Sequence, residues 1–302
     1  MSICSVLGND MTTLQHSMLE QIRKHAREVH EALPEASWAD HVYAFALRVL
    51  STTFGSDWLE HHVLASDDKS PFFRNLDAKA GDESLHRARV VDLAETILNL
   101  QEVPGLKNVL QEMSVGHIED RFAELEVGKI LALAGVKFNY VTPGGPRGSS
   151  YDLKIATPSG EVCADVKCRV ESNLAPSKSS ILNTLKAART QLPEDEMGAF
   201  FLKFPQSWAP DGDINHLIPM LEQAAGEFLR GTGRVVAIVM YFNLVRPVAN
   251  SIHVYNVYRQ VLSSHHKFGN REVFVLPPDH QPFIAPRPNW IRLAEVCKLE
   301  PV

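Results

Sequence analysis

Residues 151–168 alternate apolar and polar side chains on either side of a Thr-Pro-Ser-Gly turn signal at 157–160. Because side chains in a strand point to opposite faces with a period of two, the pattern predicts a two-stranded hairpin with one buried face. Asp152, Asp165 and Lys167 then share the opposite face. The positions expected to face the core are Tyr151, Leu153, Ile155, Val162, Ala164, Val166 and Cys168.

Two pairings of the hairpin keep these faces matched. A two-residue loop closed by Thr157 and Gly160 sets Asp152 directly across from Asp165, whereas a four-residue loop sets Asp152 across from Lys167. A one-residue slip would place an apolar residue opposite Asp165, and the face pattern argues against it. In both acceptable registers two carboxylates lie close together, which costs up to about 1 kcal/mol on a sheet. A bound cation would relieve that repulsion, and oxygen ligands suit Mg²⁺ or Mn²⁺ better than Zn²⁺.

The segments on either side of the hairpin predict a helix and a strand before it and a helix and a strand after it. Their composition and breakers favour these assignments, because Gly135 and Pro193 stand where helices end. The predicted elements are a helix at His117–Ala134, a strand at Val136–Val141, a helix at Ser179–Leu192 and a strand at Gly198–Phe204.

This stretch resembles the restriction-endonuclease-like, or PD-(D/E)XK, superfamily of nucleases over roughly residues 119–204. The motif of that superfamily is a carboxylate, a variable gap, then Asp or Glu, any residue, and Lys. Here it reads Asp152, twelve intervening residues, then Asp165, Val166 and Lys167, with Tyr151 where the motif has Pro. The resemblance implies an α/β core of helix, three strands, helix and strand in a mixed sheet, and a phosphodiester-hydrolysing activity.

The resemblance also implies roles for individual residues. Asp152, Asp165 and the backbone carbonyl of Val166 would hold Mg²⁺ or Mn²⁺, which polarises a phosphoryl oxygen and lowers the pKa of bound water. Lys167 would position the attacking water, help to deprotonate it, or stabilise charge in the transition state. Glu124, eleven residues before Gly135, would complete the metal ligands.

Glu126 is the other acidic candidate on the same helix. It lies about 200° around the helix from Glu124, so at most one of the two can face the site. The spacing to Gly135 favours Glu124.

Contacts with a phosphate backbone are expected beside the hairpin. The Gly-rich loop at 142–150 lacks the Lys and the helix of a nucleotide-binding P-loop, which favours a flexible loop at the mouth of a site. A plain connecting loop and a solvated helix face explain these residues about equally well. The candidate contacts are Arg147, Ser149, Ser150, Lys178, Lys186 and Arg189.

Charge is the main argument against a nucleic-acid enzyme. The 302 residues include 30 Lys and Arg against 36 Asp and Glu, a net charge of −6, whereas duplex-binding proteins usually carry a basic footprint. Residues 1–116 hold 10 basic and 17 acidic residues, while residues 117–205 hold 11 of each. The acidic excess therefore lies outside the hairpin region and suits a protein partner or self-association.

Helical spacing runs through residues 1–116, and further α/β elements follow residue 204. We therefore expect a helical amino-terminal region at 1–116 and a nuclease core with carboxy-terminal additions at 117–302. The amino-terminal helices are predicted at Leu14–Ala32, Trp38–Phe54, Trp58–Leu64 and Leu85–Leu100. The later elements are helices at Ile214–Arg230 and Val254–Ser263, strands at Val235–Asn243 and Glu272–Leu276, and a loop at Pro277–Pro288.

The remaining sequence signals exclude several classes of protein. The first residues lack the pattern of a signal peptide and no apolar run approaches eighteen residues, which predicts a cytoplasmic protein without a membrane partner. The four Cys and thirteen His form no metal-finger or metalloprotease motif. The expected activity is a Mg²⁺-dependent nuclease acting on DNA more than RNA. A solvated polar hairpin, or a catalytically inactive module that binds nucleic acid or protein, is the alternative.

Overall fold

The computed structural model describes residues 20, 23–65, 84–142, 150–169, 175–209, 213–248, 251–269, 273–276 and 290–297, with backbone alone at 206, 244–248 and 251–255. Its six-stranded mixed sheet carries helices on both faces, so the fold is α/β. Within these residues, no helix combines the length and the apolar character needed to cross a bilayer.

The longer helices have clear boundaries, and residues 23–32 are helical as well. The long helices are α1 (Trp38–Phe54), α2 (Ser84–Leu100), α3 (Leu106–Ser114), α4 (Ile118–Ala134), α5 (Lys178–Ala188) and α6 (Ile218–Arg230). Short turns of helix lie at Ser56–Leu59, Glu60–Leu64, Arg189–Gln191, Gln206–Trp208 and Leu293–Val296.

The six strands lie side by side in chain order. They are β1 (Phe138–Tyr140), β2 (Leu153–Thr157), β3 (Gly160–Cys168), β4 (Met197–Phe204), β5 (Val235–Val248) and β6 (Ser251–Leu262). The pairs β3–β4 and β4–β5 are parallel and the other pairs are antiparallel. The carboxyl ends of β3, β4 and β5 therefore lie at one edge of the sheet.

The hairpin adopts the two-residue loop register. Thr157 pairs with Gly160 and Leu153 with Ala164, and Gly160 has a φ of 129° that favours glycine. The chain bends at Asp152 before β2 begins, so strand alternation does not extend back to Tyr151. Tyr151 consequently packs on the other side of the sheet from Leu153, contrary to the sequence expectation.

Both faces of the sheet are covered. Leu153, Val162 and Val166 face a core shared with α1 to α4, while Cys163 faces a second core built with α5 and α6. The face that carries Asp165 is thus buried rather than open, and Asp165 itself is fully buried. Helices from both predicted regions share the first core, and the proposed boundary at residue 116 stays a prediction.

The helix α3 was not expected from the sequence. Gly105 begins it with a φ of 85°, and a Cβ at that position would lie 2.2 Å from the carbonyl oxygen of Tyr140. The Tyr140 N–H donates to the Pro104 carbonyl at 2.9 Å. This close approach fixes the end of β1 beside the turn that starts α3.

Two expectations after residue 204 were wrong. Val254–Ser263 was expected to be helical, but it falls largely within β6, because its β-branched and aromatic residues suit a strand that pairs along its whole length with β5. Residues 273–276 form no strand. The side chain of Gln260 holds them instead, accepting from the N–H groups of Val275 and Leu276 at 3.2 and 2.9 Å. The loop predicted at Pro277–Pro288 lies outside the described residues.

Candidate active site

The hairpin brings Asp152, Asp165 and Lys167 together near the carboxyl end of β3. The Lys167 Nζ donates to Asp165 Oδ1 at 2.9 Å. Asp152 Oδ2 accepts from the Val166 N–H at 2.7 Å. If β2 began earlier, a backbone carbonyl of β2 would accept this hydrogen bond, and the Asp152 carboxylate takes its place. The bend at Asp152 therefore turns its side chain toward β3 and the neighbouring Asp165.

Helix α4 supplies Glu124 to the same cluster. The carboxyl groups of Glu124 and Asp165 both lie within hydrogen-bonding reach of Asp152. Arg121, one turn earlier on α4, donates to Glu124 Oε1 and also lies 3.1 Å from Glu112 Oε2. Arg121 is thus held between two acidic partners and presents one cation to the cluster.

Glu126 points away from this cluster. Its Oε2 lies 2.7 Å from the Lys203 Nζ, and its Oε1 accepts from the Asn243 side chain. Asn256 in turn donates to Asn243 Oδ1 at 2.8 Å across the β5–β6 pair. Glu126 therefore ties α4 to the last three strands of the sheet.

Burial disfavours negative charge in the cluster. Burial, followed by the nearby Asp152, raises the pKa of Glu124 to about 9 and that of Asp165 to about 8. Burial also raises the pKa of Asp152, against the lowering effect of its bond from the Val166 N–H. Arg121 and Lys167 offset only part of this effect, so the cluster holds protons at neutral pH unless another cation enters it.

The donor atoms fit a cation that prefers oxygen ligands. Asp165 Oδ2 is buried and accepts no hydrogen bond from a nitrogen or hydroxyl donor, and the three acidic side chains offer only oxygen. Across the described residues, no three His, Cys, Asp or Glu side chains form a ready-made metal cluster. The Val166 N–H and the Lys167 Nζ each already engage one oxygen, on Asp152 and Asp165 respectively.

The predicted phosphate-contact residues are spread out. Lys178 pairs with Glu227 at 2.7 Å, Lys186 is exposed on α5, and the Arg189 carbonyl accepts from the Arg234 side chain. Ser150 is half-buried just before Tyr151. No contact among the described residues joins these side chains to the carboxylates. Arg147 and Ser149 lie outside the described residues.

Three basic residues that pair with acidic groups on α4 or extend β3 were not expected. Arg121 could have been found from its spacing of three residues before Glu124 on a helix. Arg169 could have been found because it follows Lys167 by two residues and therefore shares its strand face. Lys203 carried no such signal, because only the folded sheet brings it to Glu126.

Comparisons with known proteins give little beyond this geometry. The chain is an α/β protein with a buried acidic cluster beside a lysine. No protein-family model and no curated protein matches it. Among solved structures it is similar to one described as SfsA of Pyrococcus furiosus in complex with Ca²⁺, with 16% sequence identity and a TM-score of 0.18. The match covers 48% of this chain and 61% of SfsA, and the TM-score is too low to support an argument.

Proposed function

We propose that this chain is a nuclease that depends on a divalent metal ion and hydrolyses phosphodiester bonds, DNA in preference to RNA. One observation carries the proposal: Glu124 and Asp165 each lie within hydrogen-bonding reach of Asp152, and Lys167 donates to Asp165, whose Oδ2 is buried and accepts no hydrogen bond. Perturbed carboxyl groups of this kind cluster at functional sites.

The order of elements supports a restriction-endonuclease-like core. Helix α4, strands β1 to β3, helix α5 and strand β4 follow one another as helix, three strands, helix and strand. Three of the motif residues lie on elements of this order, and Asp152 lies at the bend just before β2. Asp152 precedes β2, Asp165 and Lys167 lie on β3, and Glu124 lies on α4.

The proposed roles follow from the contacts. Glu124, Asp152, Asp165 and the Val166 carbonyl would hold Mg²⁺ or Mn²⁺, which when bound polarises a phosphoryl oxygen and acidifies water. Asp165 fixes the Lys167 amine through their 2.9 Å hydrogen bond. The Lys167 side chain is 28% exposed, so its amine can reach a water or a phosphate at the surface of the site. Lys167 would hold the attacking water and stabilise the charge that develops on the phosphate.

The proposal is tested by incubating purified protein with plasmid, linear DNA, single-stranded DNA and RNA, with and without Mg²⁺ or Mn²⁺. We expect cleavage only with metal, and Asp165→Ala should lose both cleavage and metal binding measured by calorimetry. Asp120→Ala is the matched control, because Asp120 is an exposed aspartate on α4. Cleavage by Asp165→Ala at the wild-type rate would contradict the proposed role.

A catalytically inactive binding module is the second candidate. Two observations favour it. The net charge is −6, and the Lys167 amine is already engaged by Asp165 at 2.9 Å. In that case the acidic amino-terminal region at 1–116, which the sequence predicts to be helical, would mediate association with a protein partner or with a second copy. Absence of cleavage of every substrate with either metal would favour this candidate.

A further inference from the structure

Arg169 extends the row of functional side chains on β3. Its N–H donates to the Lys203 carbonyl at 3.1 Å, which continues the β3–β4 ladder one residue past Cys168. The strand alternation therefore places Arg169 on the same face as Asp165 and Lys167. Along an extended chain Arg169 lies about 7 Å beyond Lys167, a spacing similar to that of successive phosphates in one nucleic-acid strand.

Neutral groups hold the Arg169 guanidinium in place. The guanidinium donates to the Ser180 hydroxyl and lies over the Trp208 ring, with 5.4 Å between Cζ and the ring centroid. Trp208 is buried and stacks on Phe204, with 5.0 Å between ring centroids. The Arg169 guanidinium packs on Trp208 through one face and donates to Ser180 through one nitrogen. Its other N–H groups lie in the plane of the guanidinium and can donate to a ligand.

Arg169 has no acidic partner within the described part of the chain. Other basic residues do: Lys154 pairs with Glu161 at 2.6 Å, and Lys178 pairs with Glu227. Partial burial lowers the pKa of Arg169, and no nearby carboxylate counters that effect. A partly desolvated arginine without a counter-ion is a ready receptor for an anion.

We infer that Arg169 binds a substrate phosphate adjacent to the one that Lys167 faces. The inference rests on the proposed nuclease function and deepens it, because it makes the substrate a polynucleotide that presents at least two successive phosphates. The planar guanidinium suits this task, since its fork can donate two parallel hydrogen bonds to one phosphate. Arg169 acts on substrate position, while Asp165 and Lys167 act on the scissile bond.

The experiment measures the affinity for a labelled single-stranded oligonucleotide, with Ca²⁺ or EDTA present, over a range of salt concentrations. Each phosphate contact adds nearly one to the slope of log affinity against log salt concentration. Arg169→Ala should weaken binding about tenfold or more and lower this slope by about one. Arg169→Lys should keep the slope and bind with intermediate affinity, because it retains the charge and loses the fork.

Lys24→Ala is the matched control, because it removes one exposed positive charge from the helix at residues 23–32. A wild-type slope for Arg169→Ala, or an equal fall for Lys24→Ala, would overturn the inference. Circular dichroism establishes that each variant is folded, and the salt slope separates phosphate contact from a packing role against Trp208. The binding assay requires no cleavage. A wild-type salt slope for Arg169→Ala would therefore overturn the Arg169 inference without affecting the nuclease proposal. An absence of cleavage would contradict the nuclease proposal, and the salt slope would still test the phosphate contact.

Discussion

Asp165→Asn should make the metal-free protein more stable. Asp165 is fully buried, lies beside Asp152, and has one oxygen without a partner. An asparagine has almost the same shape, keeps a carbonyl oxygen to accept from Lys167, and brings an N–H₂ group that can donate to Asp152. The substitution removes a carboxyl group that burial keeps from ionising at neutral pH, and it leaves the packing intact. Asp165 in its native form is therefore expected to lower stability.

The magnitude follows from the pKa of the group. An aspartate ordinarily titrates near 3.8, whereas burial, followed by the nearby Asp152, raises the pKa of Asp165 to about 8. Between pH 3.8 and pH 7 the unfolded chain ionises at this position and the folded chain does not. Each pH unit then lowers the free energy of unfolding by about 1.4 kcal/mol, which gives an upper value of about 4 kcal/mol at pH 7. Because Asp152 shares the repulsion with Asp165, we expect Asp165→Asn to raise the free energy of unfolding by about 2 to 4 kcal/mol.

The assay is urea denaturation in EDTA at pH 7 and at pH 4. The folded pKa is raised, so the unfolded chain loses its proton first and the cost of the carboxyl grows as the pH rises. The advantage of Asp165→Asn should therefore be large at pH 7 and nearly absent at pH 4. Asp120→Asn, which changes an exposed residue, should leave stability within about 0.5 kcal/mol of the wild type. A variant less stable than the wild type at pH 7 would refute the reasoning.

Two further predictions concern carboxyl groups outside the cluster. Glu126→Ala should destabilise the protein by about 3 to 5 kcal/mol in urea denaturation, because it removes the buried carboxylate that lies 2.7 Å from the Lys203 Nζ and accepts from the Asn243 side chain. Glu222→Ala, at the exposed pair with Arg259, should cost less than about 1 kcal/mol. Burial, followed by the nearby Asp92, raises the pKa of Glu95 from 4.5 to about 7. As the pH rises from 4.5 to 7, the free energy of unfolding of the wild type should therefore fall by up to about 3 kcal/mol relative to that of Glu95→Gln. A pH-independent difference between Glu95→Gln and the wild type would contradict the second prediction.

The grouping of the candidate site residues could be predicted from the sequence because it follows local periodicity. Strand alternation places Asp165 and Lys167 on one face, and the helical angle separates Glu124 from Glu126. The pairing of the hairpin was left between two loops, and the structure has the two-residue loop. The bend at Asp152 could not be predicted from the sequence. It depends on the Asp152 carboxylate accepting the hydrogen bond that the Val166 N–H would otherwise donate to a backbone carbonyl.

The rest depends on contacts between distant segments. Val254–Ser263 was expected to be helical, whereas pairing with β5 over residues 251–262 makes most of this segment a strand. Lys203 reaches Glu126 only through the parallel β3–β4–β5 arrangement. The covering of both sheet faces, which buries Asp165 and raises its pKa, likewise follows from the placement of α5 and α6.

The central claim is that this cluster cleaves phosphodiester bonds, and the rate of a single turnover of labelled DNA in Mg²⁺ tests it most directly. Lys167→Ala should retain metal binding and DNA binding but cleave about 10² to 10⁴ times more slowly than the wild type. Lys137→Ala, at an exposed lysine before β1, should cleave at the wild-type rate. Equal rates for Lys167→Ala and the wild type would contradict the claim.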